Sequence, residues 1–447
     1  MSNAADPADS TTIDVWLTDH PIPDFNAPVK EAAETFGRAH PGHRIRIREI
    51  NYADLPRAVA EAVAQGNPPD VAEYYFSATQ VALDTRGAGG GPLFVPIQRL
   101  LGDRTKILGE PVVVDDILPV VRDYYSRGGE LVSMPTMAST AILFANQDVL
   151  RRAGVDRLPS TWRELTAACA AVAGLPGGPA HGIAWPNHGW LIQMELAAQG
   201  RLLSNGDNGR SGRSTRVTLD SPEMLAYARW WQDMHERGHL LYTGEPGDYF
   251  GAMEAFTSQD TAFVITSSAT SQYMTHLAAE AGFELAMGAV PNNEEAPYAG
   301  RSLGGQSMFV AAGLPKEKED AALAFTQHLL NPDHALRRLY AGSLPVMQPA
   351  YEQVVADGWA DREPGFRVAA EQVLSSDRTP AATGALLGDL SGINDELTSA
   401  MHDVLVSGAE PAARFRVATE QAQERLDRYN QACLAYPPVT PEALEAG

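Results

Sequence analysis

The sequence predicts an α/β protein built from two domains. At 447 residues the chain is longer than one ordinary hydrophobic core supports, so two domains are expected. Hydrophobic residues make up 44% of the chain, which is enough to fill both cores. Near the N-terminus strand and helix patterns alternate, an order typical of a doubly wound sheet. In such sheets the ligand crevice lies beyond the carboxyl ends of the strands.

Five segments carry this alternation. The run Arg44–Ile50 alternates arginine with isoleucine, the period of two that a strand with one wet face shows. Pro56 falls in the first turn of the following helix and Gly66 at its end, as the local preferences of helix termini require. The predicted strands are Thr12–Leu17, Arg44–Ile50 and Asp70–Tyr74, and the predicted helices are Ala27–Ala39 and Leu55–Gln65.

The second half of the chain continues the mixture. The segment 221–238 predicts a helix with Ser221 as N-cap and Pro222 at its first position. Segments 193–200 and 205–214 predict a turn-rich excursion. Further strands are predicted at Thr261–Ile265 and Phe283–Val290, and further helices at Lys316–Leu330, at Asp333–Tyr340 and over the C-terminus.

Bulk charge and cysteine usage exclude several classes of protein. The formal net charge of -22 makes nucleic acid and anionic membrane surfaces poor partners, because such binding needs clustered cations. No run of eighteen apolar residues is present, so no membrane-spanning helix is predicted. Cys169 and Cys433 lie far apart and form neither a disulfide framework nor a zinc pattern.

One motif suggests hydrolytic chemistry. The stretch from His235 to His239 matches H-E-x-x-H, which needs two imidazoles one helical turn apart and a glutamate that polarises zinc-bound water. Gly238 falls where the helix is predicted to end, so His239 would lie past the helix and off its face. A zinc metallohydrolase is therefore kept only as an alternative from another class. We expect no enzyme, no catalytic residue, no metal ligand and no cofactor.

Aromatic residues form the more informative set. They stand at the ends of predicted strands and around one loop, as Tyr52, Tyr74, Tyr75, Phe76, Trp185 and Trp190. Aromatic faces beside polar groups suit a ligand with an apolar face and a hydroxyl edge, such as a saccharide or polyol.

Several short sequence motifs also occur along the chain in an order known from one protein family. The stretch 133–165 passes from a strand ending in Asn-Gln-Asp through L-R-R-A-G to P-S-T-W-R-E-L. The others are A-Q-G-N-P-P-D-V at Ala64–Val71, L-G-G-Q-S-M-F-V at Leu303–Val310 and A-G-S-L-P-V at Ala341–Val346. This ordered set resembles the extracellular solute-binding proteins of ABC importers, and within them the glycerol-3-phosphate-binding branch.

The resemblance implies a two-lobed, type II periplasmic-binding-protein-like fold with the ligand cleft between the lobes. It places residues 12–137 plus 267–308 in an N-terminal lobe and residues 138–266 plus 309–447 in a C-terminal lobe. Three hinge crossovers are implied, near Thr136–Ser139, Thr266–Ser268 and Gly304–Ser307. Closure about such hinges would trap the ligand.

The resemblance also implies that five positions line the cleft: Tyr52, Ser139, Trp190, Ser267 or Ser268, and Gly304 or Gly305, of which Ser267 and Gly305 are preferred. Tyr75, Phe76 and Ser343 are further candidates for ligand contacts. Asp19, His20, Gln306 and Asp389 are candidates to hydrogen-bond the hydroxyls of the ligand.

Three positions depart from the branch. By the same alignment a ligand-facing acid becomes Phe76, a tyrosine becomes Ser343 and an arginine becomes Leu386. The arginine matters most, because a guanidinium is the natural bidentate clamp for phosphate. Arg301 is the candidate to replace it from a different loop.

The function implied is the substrate-binding component of an ABC uptake transporter, a monomer that takes a small neutral saccharide or glycerol derivative to membrane permease subunits. A glycerophosphodiester or glycerol-3-phosphate binder is the alternative within the class, and a scaffold that serves as a sensor is a third possibility. The resemblance further implies an extracytoplasmic lipoprotein. Residues 1–10 contain no apolar signal region and no lipid-accepting cysteine, so we expect the export signal to be missing from this sequence.

Overall fold

The structure is a computed structural model that describes residues 10–19 and 24–434. The chain forms two compact units. Unit 1 contains the described parts of residues 1–138, 304–356 and 430–447, and unit 2 contains residues 139–303 and 357–429.

The first pass through unit 1 alternates strands and helices. Its elements are β1 (Thr11–Asp19), α1 (Ala27–Ala39), β2 (His43–Asn51), α2 (Leu55–Ala64), β3 (Val71–Tyr75), α3 (Thr79–Asp84), α4 (Ile97–Leu101), β4 (Lys106–Ile107), β5 (Glu110–Pro111), α5 (Pro119–Tyr124), β6 (Ser126–Arg127), β7 (Glu130–Leu131) and β8 (Met134–Ser139).

The chain then builds most of unit 2. These elements are β9 (Ala141–Asn146), α6 (Gln147–Arg152), α7 (Trp162–Ala173), β10 (His181–Ala184), α8 (Gly189–Ala198), α9 (Asn205–Gly209), α10 (Pro222–Glu236), β11 (Leu240–Leu241), α11 (Tyr249–Thr257), β12 (Thr261–Ser267), α12 (Ser271–Ala281) and β13 (Leu285–Gly288).

The rest of the chain, from residue 304 onward, adds elements to both units. Unit 1 receives β14 (Gly304–Val310), α13 (Lys316–Leu329), α14 (Pro332–Tyr340) and α15 (Gln348–Ala356), and α16 (Trp359–Arg362), α17 (Pro364–Leu374), α18 (Pro380–Thr383) and α19 (Leu390–Ser407) follow in unit 2. The last helix is α20 (Pro411–Leu434).

Each unit has its own five-stranded sheet. In unit 1 the order is β2-β1-β3-β14-β8, with β2, β1 and β3 parallel and β14 antiparallel to β3. Trp16 on β1 packs with Leu55 and Val59 of α2 in one apolar layer, and α13 contacts β1 and packs against α1. In unit 2 the order is β11-β10-β12-β9-β13, where β9 is antiparallel to both of its neighbours.

Most elements lie where local signals predict them. Helix α1 has the predicted bounds, and α10 begins after Ser221, whose Oγ accepts a hydrogen bond from Met224 N at 3.2 Å. The turn-rich excursion predicted for 193–200 is wrong, because residues 193–198 belong to α8. Every residue of that helix is buried, so it lacks the alternation of apolar and polar faces that marks a surface helix.

The predicted division of the chain needs correction in two segments. Residues 267–303 stay in unit 2, because β13 pairs with β9 of the unit 2 sheet, and no crossover occurs near Thr266–Ser268. Residues 309–356 belong to unit 1, where α13 packs on β1. The chain changes unit at 138/139, 303/304, 356/357 and 429/430.

Within the described ranges, none of the helices combines the length and the apolarity that a membrane span requires.

Candidate functional site

Several predicted site residues meet at one edge of the unit 1 sheet. Asp19 is the last residue of β1, Tyr52 follows β2, and Tyr75 ends β3. Because these strands are parallel, their carboxyl ends share an edge. Gln306 lies directly opposite Tyr75 in the antiparallel pair of β14 and β3. This is the edge at which α/β sheets place ligands.

An aromatic row runs inward from this edge. Tyr52 is 38% exposed, and its ring centroid lies 5.3 Å from that of Tyr75, which lies 5.0 Å from that of Phe76. Phe76 is buried against Tyr124, whose hydroxyl donates a hydrogen bond to Phe76 O at 3.0 Å. Burial and the neighbouring Tyr52 raise the pKa of the Tyr75 phenol, so it stays protonated. Tyr52 is thus the exposed residue of this row, whose other two rings, Tyr75 and Phe76, pack against neighbouring aromatic rings.

A buried polar network lies behind the same edge. Gln306 Nε2 donates a hydrogen bond to Thr18 Oγ1, and Thr18 Oγ1 donates to Glu73 Oε2 at 3.2 Å. Thr136 Oγ1 donates to Glu73 Oε1 at 2.6 Å. Gln306 Oε1, although buried, has no hydrogen-bond partner among the described residues. A buried acceptor of this kind is unfavourable unless water or a ligand satisfies it.

Gly305 and Ser343 complete the unit 1 set. Gly305 has φ of +146°, and a Cβ there would lie 2.2 Å from Met137 O, so only glycine fits. Ser343 Oγ accepts a hydrogen bond from Ala138 N at 3.3 Å and donates to Leu344 O at 2.8 Å. His20, which was also predicted, lies outside the described residues.

Two of the predicted residues of unit 2 are Ser139, the last residue of β8 just before β9 begins, and Ser267, the last residue of β12. Ser267 pairs with Ala141 across these strands, and Ser139 lies two residues before Ala141. Ser267 Oγ accepts a hydrogen bond from Ala269 N at 3.2 Å, and Ser268 N donates to Thr140 O at 2.7 Å. These bonds hold the two serines beside one end of the sheet.

Trp190 and Asp389 lie on two helices that pack together, α8 and α19. Trp190 is buried in the first turn of α8, and its backbone N–H donates to His188 Nδ1 at 3.2 Å. Asp389 caps α19 by accepting from Gly392 N at 3.2 Å, and it lies 3.5 Å from Arg425 Nη1. The Asp389 carboxylate therefore has structural partners within unit 2.

Arg301 is committed to structural contacts. It is only 2% exposed, and Nη1 donates to Glu195 Oε2 at 2.8 Å. Its Nη2 donates to the carbonyl oxygens of Val290 and Pro291, both at 3.2 Å. Leu386, at the position of the branch arginine, is a buried apolar side chain. These contacts disfavour Arg301 as the replacement for a phosphate clamp.

Sequence reasoning missed Arg338 on α14. It is 7% exposed, and its Nη1 has no hydrogen-bond partner among the described residues. The sequence did contain a signal that Arg338 is buried. Leu339 lies four residues after Ala335 and Arg338 lies three residues after it, so all three fall on one face of α14, and that face is buried.

The H-E-x-x-H stretch has the geometry predicted for it. Helix α10 ends at Glu236, Gly238 has φ of +72°, and His239 N donates to Met234 O at 2.9 Å in a helix-terminating turn. His239 therefore lies off the helical face that carries His235. Across residues 10–19 and 24–434, no three His, Cys, Asp or Glu side chains are arranged to hold a metal ion.

Comparison with known proteins agrees with this architecture. The family described as bacterial extracellular solute-binding protein matches residues 31–367. The sn-glycerol-3-phosphate-binding periplasmic protein UgpB of Salmonella paratyphi A is 26% identical over 435 residues, covering 94% of each protein.

Two solved structures share the fold. UgpB from Mycobacterium tuberculosis in complex with glycerophosphocholine superposes with a TM-score of 0.71 at 20% identity, covering 94% of this chain and 99% of that one. A solute-binding protein of Agrobacterium radiobacter K84 in complex with ribitol gives 0.73 at 19% identity, covering 94% and 100%.

The type II periplasmic-binding-protein fold predicted from the sequence is confirmed by these structures. The family and the relatives named here are binding proteins, not enzymes. Because the family match covers most of its length, the chain belongs to the bacterial extracellular solute-binding proteins.

Proposed function

We propose that the chain captures a small, neutral saccharide, polyol or glycerol derivative and delivers it to the permease subunits of an ABC importer. The observation that carries this proposal is the aromatic row at the polar edge of unit 1, where Tyr52 is exposed and Tyr75 and Phe76 anchor it. An aromatic face beside amide and carboxylate groups suits the apolar face and hydroxyl rim of a polyhydroxylated solute.

The side chains at the two positions considered for a phosphate clamp support a neutral solute. Leu386 stands where the branch resemblance expects arginine, and Arg301 is held by Glu195 and two carbonyl oxygens. A second candidate is a glycerol-3-phosphate or glycerophosphodiester ligand, which the names of the relatives favour. The two candidates differ in charge, so one panel of ligands separates them.

A thermal-shift panel tests the proposal. It contains glycerol, ribitol, maltose, glycerol-3-phosphate and glycerophosphocholine. A ligand at a hundred times its Kd stabilises the native protein by about 2.7 kcal/mol. We expect a shift with a neutral member and none with the phosphorylated members. A shift confined to the phosphorylated members would establish the second candidate, and no shift with any member would contradict the proposed function.

Tyr52→Ala tests the site within unit 1. We expect about a tenfold loss of affinity for the neutral ligand, because one aromatic contact is removed. Phe250→Ala is the matched control, since Phe250 is a comparably exposed aromatic residue (44%) on α11 of unit 2. Equal affinities of the two variants would exclude Tyr52 from the site.

We also propose that the natural protein is exported, monomeric and held at the membrane by a lipid anchor. Family membership supports the extracytoplasmic location. Fractionation of the producing cell, with palmitate labelling of the natural gene product, tests the anchor. Co-purification with detergent-solubilised permease subunits tests the partnership, and a monomeric mass by light scattering tests the oligomeric state.

A further inference from the structure

Arg338 lies in the core of unit 1. Only 7% of it is exposed, and Nη1 has no hydrogen-bond partner among the described residues. Arginine remains protonated in proteins, so the buried group is a cation. Burying a charge without hydrogen bonds is strongly unfavourable. A group other than the described residues is therefore expected to accept a hydrogen bond from it.

Arg338 lines a small, partly open cavity within unit 1. Two other polar side chains, Thr136 and Ser343, line it. The apolar lining consists of Leu330, Ala335, Leu339, Leu344, Val346, Met347 and Ala350. The space admits one small group, about the size of a water molecule or a hydroxyl.

The hydrogen-bond donors and acceptors of the residues that line this cavity favour a hydroxyl group as the guest. Ser343 Oγ donates to Leu344 O at 2.8 Å, and Thr136 Oγ1 donates to Glu73 Oε1 at 2.6 Å. Both hydroxyl protons are therefore used, which leaves two oxygen acceptors and one unsatisfied donor, Arg338 Nη1, among the polar groups of the residues that line the cavity. A guest hydroxyl can accept from Arg338 and donate to a serine or threonine oxygen, whereas an anionic oxygen can only accept.

Charge balance favours the same guest. Glu73 is fully buried and attracts Arg338 electrostatically, which raises the pKa of the guanidinium and partly offsets the lowering that burial causes. With Glu73 ionised the two residues sum to no net charge. A phosphate or carboxylate group placed here would add an anion near the Glu73 carboxylate, whereas a neutral hydroxyl would not.

The cavity also adjoins the predicted solute residues. Ser343 is one of them, and by the branch alignment it replaces a tyrosine, a change that removes a phenol ring. Thr136 belongs to the network that includes Gln306, because its Oγ1 lies 3.3 Å from Gln306 O. We infer that Arg338 is a specificity-determining residue that donates a hydrogen bond to one hydroxyl of a neutral polyol or saccharide, with Ser343 and Thr136 as acceptors. This inference rests on the proposed function.

The test compares Arg338→Met with Arg337→Met by isothermal titration of the neutral panel member that most stabilises the unmodified chain. Arg337 is the matched control, because it is the neighbouring residue on α14 but is half exposed and paired with Glu31. Loss of one hydrogen bond to a charged donor is expected to weaken binding about tenfold to a hundredfold in Arg338→Met and to leave Arg337→Met unchanged. Arg338→Lys keeps the charge beside Glu73 and is measured in parallel, in case the methionine variant does not fold. We expect a weakened affinity there too, because lysine lacks the planar fork.

A purely structural role, or a cavity filled by water alone, predicts an altered melting temperature with the same Kd in every Arg338 variant, and that result would overturn the inference. Selective loss of glycerol-3-phosphate or glycerophosphocholine binding would overturn it as well, by showing that the guest is anionic. If the unmodified chain binds no panel member, the proposed function fails together with the inference. Binding by the unmodified chain with unaffected Arg338 variants removes the inference alone.

Discussion

The two most deeply buried arginines of this protein differ in their partners. In unit 2, Arg301 makes three hydrogen bonds, one of them to the Glu195 carboxylate at 2.8 Å. In unit 1, Arg338 is nearly as buried, yet its Nη1 has no partner among the described residues and Glu73 acts on it only electrostatically.

The difference shows that burial of a charge does not by itself indicate function. Arg301 was a candidate ligand-binding cation in the sequence, but both of its terminal nitrogens donate hydrogen bonds to groups of its own unit, and only Nε has no partner among the described residues. Arg338 drew no attention in the sequence, although no hydrogen bond from its Nη1 to a carboxylate or a carbonyl oxygen is found among the described residues. An inventory of partners therefore separates a structural cation from a candidate binding group.

The largest expected effect concerns this pair of arginines directly. Arg301→Met leaves the Glu195 carboxylate buried without its cation, so we expect the free energy of unfolding to fall by about 3–5 kcal/mol. Arg338→Met breaks no hydrogen bond found among the described residues, and Glu73 keeps those from Thr18 and Thr136, so we expect a smaller loss, about 1 kcal/mol. Urea denaturation measures both.

Adding Glu195→Leu to Arg301→Met should restore most of the lost stability, because the unpaired carboxylate is then removed. Arg337→Met gives the surface reference, within about 0.5 kcal/mol of the unmodified chain. A loss in Arg338→Met as large as that in Arg301→Met would abolish the distinction drawn between the two arginines.

A second prediction concerns pH and sharpens the description of unit 2. Burial lowers the pKa of His188 from 6.5 to about 4, and its Nδ1 must stay unprotonated to accept from Trp190 N. The unfolded chain therefore binds more protons below pH 6.5. The contribution to stability is complete above pH 6.5 and is lost as pH falls towards 4, by up to about 1.4 kcal/mol per pH unit.

His188→Asn keeps a capping acceptor and removes the titration. Its unfolding free energy, measured between pH 7 and pH 4, should decline less steeply than that of the unmodified chain. Burial also lowers the pKa of His239 and His334, so some dependence on pH should remain. Parallel profiles of the two proteins would show that His188 does not titrate in this range.

A third prediction tests whether the edge of the unit 1 sheet requires glycine at position 305. Gly305→Ala places a Cβ 2.2 Å from Met137 O at a φ of +146°, so we expect a loss of about 1–3 kcal/mol. The neutral solute should also bind more weakly, because Gln306 follows directly. Gly66→Ala is the control, since Gly66 also has a positive φ (+75°) but has open space around its Cα. Equal losses in the two variants would mean that φ alone, and not the approach of Met137, requires glycine.

The smallest expected effect belongs to an interaction that is local in sequence. Thr161 caps α7 by accepting from Glu164 N at 3.2 Å. Thr161→Ala should cost about 1 kcal/mol, whereas Thr161→Ser keeps the acceptor and should cost less. If the alanine variant lost as much stability as Arg301→Met, local capping would outweigh the buried ion pair.

How much could be read from the sequence depends on how far apart the interacting residues are. The caps at Thr161 and Ser221 and the helix end at Gly238 were predictable, because each depends on residues within a few positions of one another. Helix α8 escaped prediction because its burial removes the amphipathic signal.

The candidate site follows the same rule. The placement of Asp19, Tyr52 and Tyr75 at one edge follows from three parallel strands, each recognisable locally. That Gln306 lies opposite Tyr75 depends on β14 pairing with β3, more than 200 positions earlier in the chain. The family resemblance supplied Gly305 and Gln306, whereas local patterns did not.

The sequence by itself determined the family, the α/β class, the position of most helices and strands and the aromatic character of the unit 1 edge, because these depend on local periodicity, caps and recognisable phrases. Tertiary structure alone decided that residues 267–303 belong to unit 2, that Arg301 is held by Glu195, and that Arg338 is buried and lines a cavity with Ser343, its Nη1 unpartnered among the described residues. The physical reason is that burial and hydrogen-bond satisfaction depend on residues brought together by long-range packing, which no local pattern specifies.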